Sequence, residues 1–123
     1  MYLLPQEIEV WYILPAIRKE LARMLTKKYK LNYERAGAIL GVGKAAVSQY
    51  LSNKRANKVR LNPKIKREIG KSAKIISEYP NKALIEIQRI LKIMKSEKHS
   101  CDVCRKYNKG ISDFCGYKPG GYQ

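Results

Sequence analysis

A glycine between two short helical patterns most constrains how this chain can fold. The segments Tyr33–Leu40 and Lys44–Leu51 each repeat apolar residues at helical spacing. Gly41 directly follows the first segment, where a residue without a Cβ most easily adopts the left-handed conformation that ends many helices. We therefore expect two short helices joined by a tight turn, with Val42 filling the corner. Small residues would let the two helices cross closely at a steep angle: Gly37, Ala38, Ala45 and Ala46.

The N-terminal part of the chain, residues 1–30, predicts a further helix. In residues 15–29, apolar side chains recur at helical spacing. Pro15 suits the first turn, because its missing N–H would have no partner there. Residues 7–14 alternate as a strand would, but they are equally compatible with a helix kinked at Pro15. We favour the helix and interpret Trp11 as a core or subunit-contact residue.

Residues 63–98 predict two more helices. Asn62 is a candidate N-cap, and Pro63 suits the first helical position. The helix that follows would end near Tyr79, because Pro80 breaks it, and Asn81 or Pro80 opens the next helix. Its apolar residues lie on one face: Ile65, Ile69, Ala73 and Ile76.

The last predicted helix is apolar on more than one face. One set of residues has the spacing of a packing seam: Leu84, Ile87, Leu91 and Met94. A second set forms an edge beside it: Ile85, Ile90 and Ile93. Such a helix needs more than one neighbour, which is either a second subunit or a larger part of the chain's own core. The chain as a whole predicts an all-α domain of about five helices, with a small irregular cysteine-containing tail over residues 99–123.

The charge of the chain indicates a polyanionic partner. Its 123 residues carry 26 Lys and Arg against 10 Asp and Glu, a formal net charge of +16. The imbalance is greatest in residues 31–62, where six basic residues accompany the single acid Glu34. Ten acids cannot pair with 26 bases, so a merely ion-pair-rich surface is a poor explanation. Nucleic acid is the favoured partner.

Composition also argues against several other classes of protein. One histidine and ten scattered carboxylates leave little material for an enzyme, and no cluster resembles the water-activating site of a metal-dependent nuclease. No apolar run approaches the roughly 18 residues of a membrane-spanning helix. The first nine residues lack the basic start of a signal peptide. We expect a cytoplasmic protein that does not enter a membrane.

Residues 33–51 resemble the helix-turn-helix of DNA-binding regulators, particularly the repressor-like class, in which the second helix enters the major groove. In this chain residues 44–52 would be that recognition segment. A basic, polar stretch follows over residues 52–60, which a plain helical hairpin would have no reason to carry. The residues that carry the resemblance are Gly41, Val42, Val47, Ser48, Tyr50 and Leu51.

Side-chain directions in the second helix suggest individual roles. Since its apolar residues Val47, Tyr50 and Leu51 would face the protein, four others would face the groove: Lys44, Ala45, Ser48 and Gln49. Gln49 can pair with adenine through two atoms, and Ala45 can contact a thymine methyl group. Ser48 can reach a base or a phosphate, and Lys44 a phosphate or guanine. Phosphate binding without sequence reading is expected from the basic residues beyond the helix: Lys54, Arg55, Lys58 and Arg60.

The tail contains all three cysteines of the chain, namely Cys101, Cys104 and Cys115. In a reducing cytoplasm such a cluster favours a metal over a disulfide. The Cys-x2-Cys spacing lets one turn present two thiolates to one ion, and His99 or Asp113 could complete a four-ligand site. We favour an iron–sulfur cluster, with zinc as the alternative and three reduced thiols without metal as the third interpretation.

The whole layout resembles a family of small archaeal transcriptional regulators. The resemblance spans about residues 7–115. It includes an N-terminal segment like residues 10–18, the stretch over residues 45–51 and a C-terminal Cys-x2-Cys. It implies a repressor-like helical domain, sequence-specific DNA binding and a dimer. A histidine can follow the last cysteine in that family, whereas Gly116 follows Cys115 here.

Two functional hypotheses follow. The first is a dimeric transcription factor that reads double-stranded DNA with residues 44–52 and holds phosphates with the stretch that follows. The cysteine tail would then sense iron or oxidant, or bind zinc. The second is an RNA-associated or nucleoid protein that uses the same charge without choosing a sequence.

Overall fold

The computed structural model describes residues 4–56 and 59–97, together with Val103 and Lys106. All regular elements in this part of the chain are helical, so the predicted all-α class is confirmed. A π-helical segment, Glu9–Ile13, links the first two helices, and a 3-10 turn, Pro80–Lys82, precedes the last. The α-helices are α1 (Pro5–Ile8), α2 (Leu14–Lys27), α3 (Tyr33–Leu40), α4 (Lys44–Leu51), α5 (Pro63–Glu78) and α6 (Ala83–Ser96). None of the described helices is long and apolar enough to cross a bilayer.

The N-terminal rod, residues 5–27, is formed by α1, the π-helical segment and α2. The backbone stays right-handed helical at both junctions, Ile8 and Leu14, so the favoured helical interpretation of residues 7–14 is confirmed. The Leu14 N–H donates to the Glu9 carbonyl five residues earlier, a π-type bond that falls immediately before Pro15. The rod leaves Trp11 56% exposed. Of the two interpretations of Trp11, that of a core residue is therefore wrong, and that of a subunit contact stays a prediction.

Helix α2 forms the centre of the core, because it packs against α3, α4, α5 and α6. Its fully buried side chains include Ile17, Leu21 and Leu25. The predicted face of α5 is buried in full, and the Asn62 side chain accepts a hydrogen bond from the Ile65 N–H at 2.8 Å. The N-cap expected at Asn62 is thus confirmed.

The buried face of α6 differs from the predicted seam. Leu84 is 78% exposed and Ile85 is 66% exposed, so one residue from each predicted apolar set lies at the surface. The face that packs against the core is instead formed by Ala83, Glu86, Ile87, Ile90 and Met94. Glu86 thus occupies a buried position at which helical periodicity predicts an apolar residue.

A polar network explains why Glu86 is buried. The Ser72 hydroxyl donates to Glu86 Oε1 at 2.8 Å, and Arg89 Nε donates to the same oxygen at 3.1 Å. The Arg89 guanidinium also binds the Glu68 carboxylate at 2.7 Å and the Glu68 carbonyl at 2.9 Å. The hydrogen bond from Arg89, with another from Lys71, lowers the pKa of Glu68 below its ordinary value. Side chains of α5 and α6 are thereby joined in one register.

Replacement of Arg89 by Met should destabilise the fold by about 2 kcal/mol at neutral pH, because Glu86 would stay buried without its cation. The penalty should shrink as the pH falls below 4.5, the ordinary value for a glutamate, since Arg89 lowers the pKa of Glu68 and this stabilisation is lost as the Glu68 carboxylate takes up a proton. Denaturant unfolding at several pH values measures both effects. Lys64→Gln is the matched control: it removes an exposed ion pair with Glu97 and should cost under about 0.5 kcal/mol. Equal effects of the two substitutions would contradict the buried network.

Candidate nucleic-acid interface

Helices α3 and α4 and the turn between them have the bounds that the sequence predicted. Gly41 adopts the left-handed conformation at φ 75°, and its N–H donates to the Gly37 carbonyl. The Val42 N–H donates to the same carbonyl at 2.9 Å, and the Val42 side chain packs against the core. Both bonds satisfy one carbonyl in the last turn of α3 and start the chain towards α4.

Close approach of the turn to α3 depends on Gly37. A Cβ on this residue would lie 2.7 Å from the Val42 carbonyl oxygen and 3.2 Å from the Gly43 carbonyl, closer than a side chain allows. Of the four small residues expected to ease the helix crossing, Gly37 and Ala46 are buried, whereas Ala38 and Ala45 are exposed. Only the first two can relieve crowding between the helices.

Helix α4 has one buried face and one exposed face. Ala46, Val47 and Tyr50 are buried against the domain, and Leu51 is half-buried. The predicted base-reading residues are all exposed on the other side: Lys44, Ala45, Ser48 and Gln49. A rigid polar edge of this kind, supported by a packed core, can present hydrogen-bonding groups to a partner at fixed positions.

The chain leaves α4 through a left-handed residue, Asn53, at φ 61°. Its N–H donates to the Tyr50 carbonyl at 3.2 Å, and the Lys54 N–H donates to the Gln49 carbonyl at 2.9 Å. This pair of bonds is a Schellman cap, here with asparagine in place of glycine. The Lys19 ammonium donates to the Asn53 side-chain oxygen, which ties the end of α4 to the N-terminal rod.

The predicted phosphate-binding residues flank this exit. Lys54, Arg55 and Arg60 are exposed, while Lys58 lies outside the described residues. No salt bridge within the described part of the chain engages these three side chains or Lys44. The carboxylates that do form ion pairs lie in the N-terminal rod, in α5 and in or next to α6: Glu9, Glu20, Glu68, Glu86 and Glu97. Among the described residues, the positive charge around α4 is therefore not neutralised by an ion pair.

Sequence reasoning missed a second basic site at the start of α4. Lys27 and Lys44 both line a shallow depression of about 460 Å³, together with Glu34 and other residues at the start of α3. The Asn32 side chain caps α3 there by accepting from the Arg35 N–H at 2.7 Å. The signal was the run of lysines at 27, 28 and 30, which periodicity alone assigns to a solvated helix end. Basic side chains thus lie at both ends of α4.

The predicted metal ligands all lie outside the described residues: His99, Cys101, Cys104, Asp113 and Cys115. Within the described ranges, no group of three or more His, Cys, Asp or Glu side chains is arranged to hold a metal ion.

Comparison of the chain with protein-family models, with curated proteins and with solved structures gave no match. Evidence for a function therefore comes from the geometry of α3 and α4 and from the charges around them.

Replacing Gly37 by Ala should destabilise the domain by about 1–3 kcal/mol, because the new methyl group meets backbone atoms that cannot rotate away. Gly43→Ala is the matched control, since a Cβ there meets nothing within 4 Å and should change stability by under about 0.5 kcal/mol. Thermal or denaturant unfolding measures the difference. If Gly37→Ala were as stable as the control, the close contact between α3 and the turn would not exist in solution.

Proposed function

We propose that this protein is a cytoplasmic, sequence-specific regulator of transcription that binds double-stranded DNA with α4 in the major groove. One observation carries the proposal: α4 keeps a polar edge exposed on a packed helix-turn-helix, with basic side chains at both of its ends that form no salt bridge with another described residue. An α-helix with its side chains is about 10–12 Å across, close to the width of the major groove at about 12 Å. Basic side chains near the two ends of α4 would then reach phosphates that flank the groove.

In this proposal the residues of α4 read bases. Gln49 donates to and accepts from adenine, and Ala45 contacts a thymine methyl group. Ser48 binds a base or a phosphate, and Lys44 binds a phosphate or guanine at the start of the helix. All four side chains are exposed in the protein alone, so they need no rearrangement to reach the groove.

Phosphate binding is assigned to the basic residues after α4. Lys54, Arg55, Lys58 and Arg60 would supply affinity and salt dependence without choosing a sequence. Lys27, beside Lys44, extends the same role to the other end of the helix.

We also propose that the protein acts as a homodimer. The exposed apolar side chains of Leu84 and Ile85, near the start of α6, support this, because large apolar groups are usually covered. Two copies related by a twofold axis would place two α4 helices about one turn of DNA apart on a pseudo-palindromic site.

The DNA proposal is tested by selecting bound sequences from a random duplex library and then measuring affinities for the best and for scrambled sites. Gln49→Ala should weaken binding to the selected site by about 1–3 kcal/mol and barely change binding to scrambled DNA. Lys54→Ala should weaken both equally and reduce the slope of log affinity against log salt by about one. Lys92→Ala, an exposed lysine of α6, is the control and should change neither.

The main alternative, an RNA-associated or nucleoid protein, makes a different prediction in the same assay. Selection would then recover no common sequence, and single-stranded RNA and random duplex would bind equally at moderate salt. A uniform loss of affinity in Gln49→Ala would likewise count against base reading.

We further propose that Cys101, Cys104 and Cys115 bind an iron–sulfur cluster, or alternatively zinc, with His99 or Asp113 as a fourth ligand. The proposal rests on their spacing in the sequence. Anaerobically purified protein should be brown, absorb visible light and contain iron and sulfide. Stoichiometric zinc without colour would support the alternative. A variant with all three cysteines changed to serine should lose the metal, and equal metal content in that variant would rule out cysteine ligation.

A further inference from the structure

A cleft of about 350 Å³ lies between the N-terminal rod and the helix-turn-helix. Trp11, Tyr12 and Pro15 of the rod form one wall, and Val42 and Tyr50 of the helix-turn-helix form the other. The volume falls at the lower end of the range for small-molecule sites, which are concave, mostly apolar and contain a few placed polar groups. None of the described residues that line the cleft is a carboxylate.

Two arginines supply the polar groups of this cleft. Arg18 lines it from α2, and its Nε is buried with no hydrogen-bond partner. No hydrogen bond or salt bridge from Arg18 to another described residue is present. Arg55 lines the same cleft from the loop after α4. A guanidinium that lines a cleft and has no anionic partner can bind the oxygens of an anionic ligand there.

We propose that this cleft binds a small aromatic anion, either a carboxylate or a phosphate monoester. The guanidinium groups of Arg18 and Arg55 hold the anionic end, since planar guanidinium groups match the oxygens of both anions. The flat ring lies against Trp11 and Tyr12, which offer aromatic surface at the mouth of the cleft. Neither an uncharged ring nor a bare anion uses both features.

Intrinsic fluorescence gives a direct readout, because Trp11 is the only tryptophan of the chain and is half-exposed in the cleft. Benzoate and phenyl phosphate, titrated at constant ionic strength to about 10 mM, should each produce a saturable blue shift of Trp11 emission. Benzyl alcohol supplies the ring without charge, and inorganic phosphate supplies the charge without a ring. Both comparators should bind at least roughly tenfold more weakly.

Arg18→Gln should weaken the binding of both aromatic anions by roughly tenfold or more, since it removes a charged donor and keeps most of the side chain. Arg67→Gln is the matched control, because Arg67 is exposed on α5 and does not line the cleft. Three results would overturn the proposal: no saturable change in emission, equal affinities in the two variants, or an equal response to inorganic phosphate. Circular dichroism of both variants verifies that they are folded.

A regulatory consequence rests on the proposed DNA-binding function. Because Arg55 belongs both to the cleft and to the expected phosphate contacts, bound anion should weaken DNA binding, by roughly fivefold or more at saturation. Arg18→Gln should remove this effect and keep the affinity for DNA. The two proposals fail separately: loss of the Trp11 titration with DNA binding intact rejects the cleft site, whereas a normal titration in a protein that binds no DNA rejects the regulator.

Discussion

The contact between the Gly37 backbone and the turn after α3 determines how the rest of the site is arranged. With no Cβ in the way, the Val42 carbonyl approaches α3 closely, and Gly41 and Val42 both donate to the Gly37 carbonyl. The turn is therefore short, and α4 crosses α3 with Val47 and Tyr50 facing α2. Once these residues are buried, helix geometry leaves the opposite edge of α4 exposed. The exposed edge of α4, which is the candidate recognition surface, is thus a consequence of the close packing at Gly37.

The ion pairs among the described residues lie away from α4. The buried or paired glutamates serve the rod, α5 and α6, where Glu68 and Glu86 join two helices through Arg89. Around α4, by contrast, no salt bridge among the described residues neutralises the basic side chains. Five of the ten acids form ion pairs away from α4, and the basic side chains around α4 remain available to a polyanion.

Sequence signals within single helices and turns predicted most of the fold. The errors occur where a residue far away in the chain determines which side chains are buried. Gly41 ends a helix by its left-handed backbone, and Asn62 begins one as an N-cap. Because both effects are local, these helix ends were predicted correctly. The buried face of α6 was not, because Glu86 is drawn inside by Ser72 and Arg89, and Arg89 also reaches Glu68 of α5. The cleft at Arg18 was missed for the same reason: its two walls are about thirty residues apart in the chain.

The loop after α4 shows how the two proposed sites are connected. Asn53 and Ala56 both have positive φ, at 61° and 60°, and for alanine this conformation costs roughly 1 kcal/mol. Arg55 lies between these two residues, so its position is set by an unusual backbone. Its guanidinium forms no salt bridge with another described residue and lies at the border between the cleft and the exposed end of α4. A single arginine held in this way can bind an anion in the cleft or a phosphate of DNA, but not both at once. Because of this exclusion, occupancy of one site would weaken binding at the other.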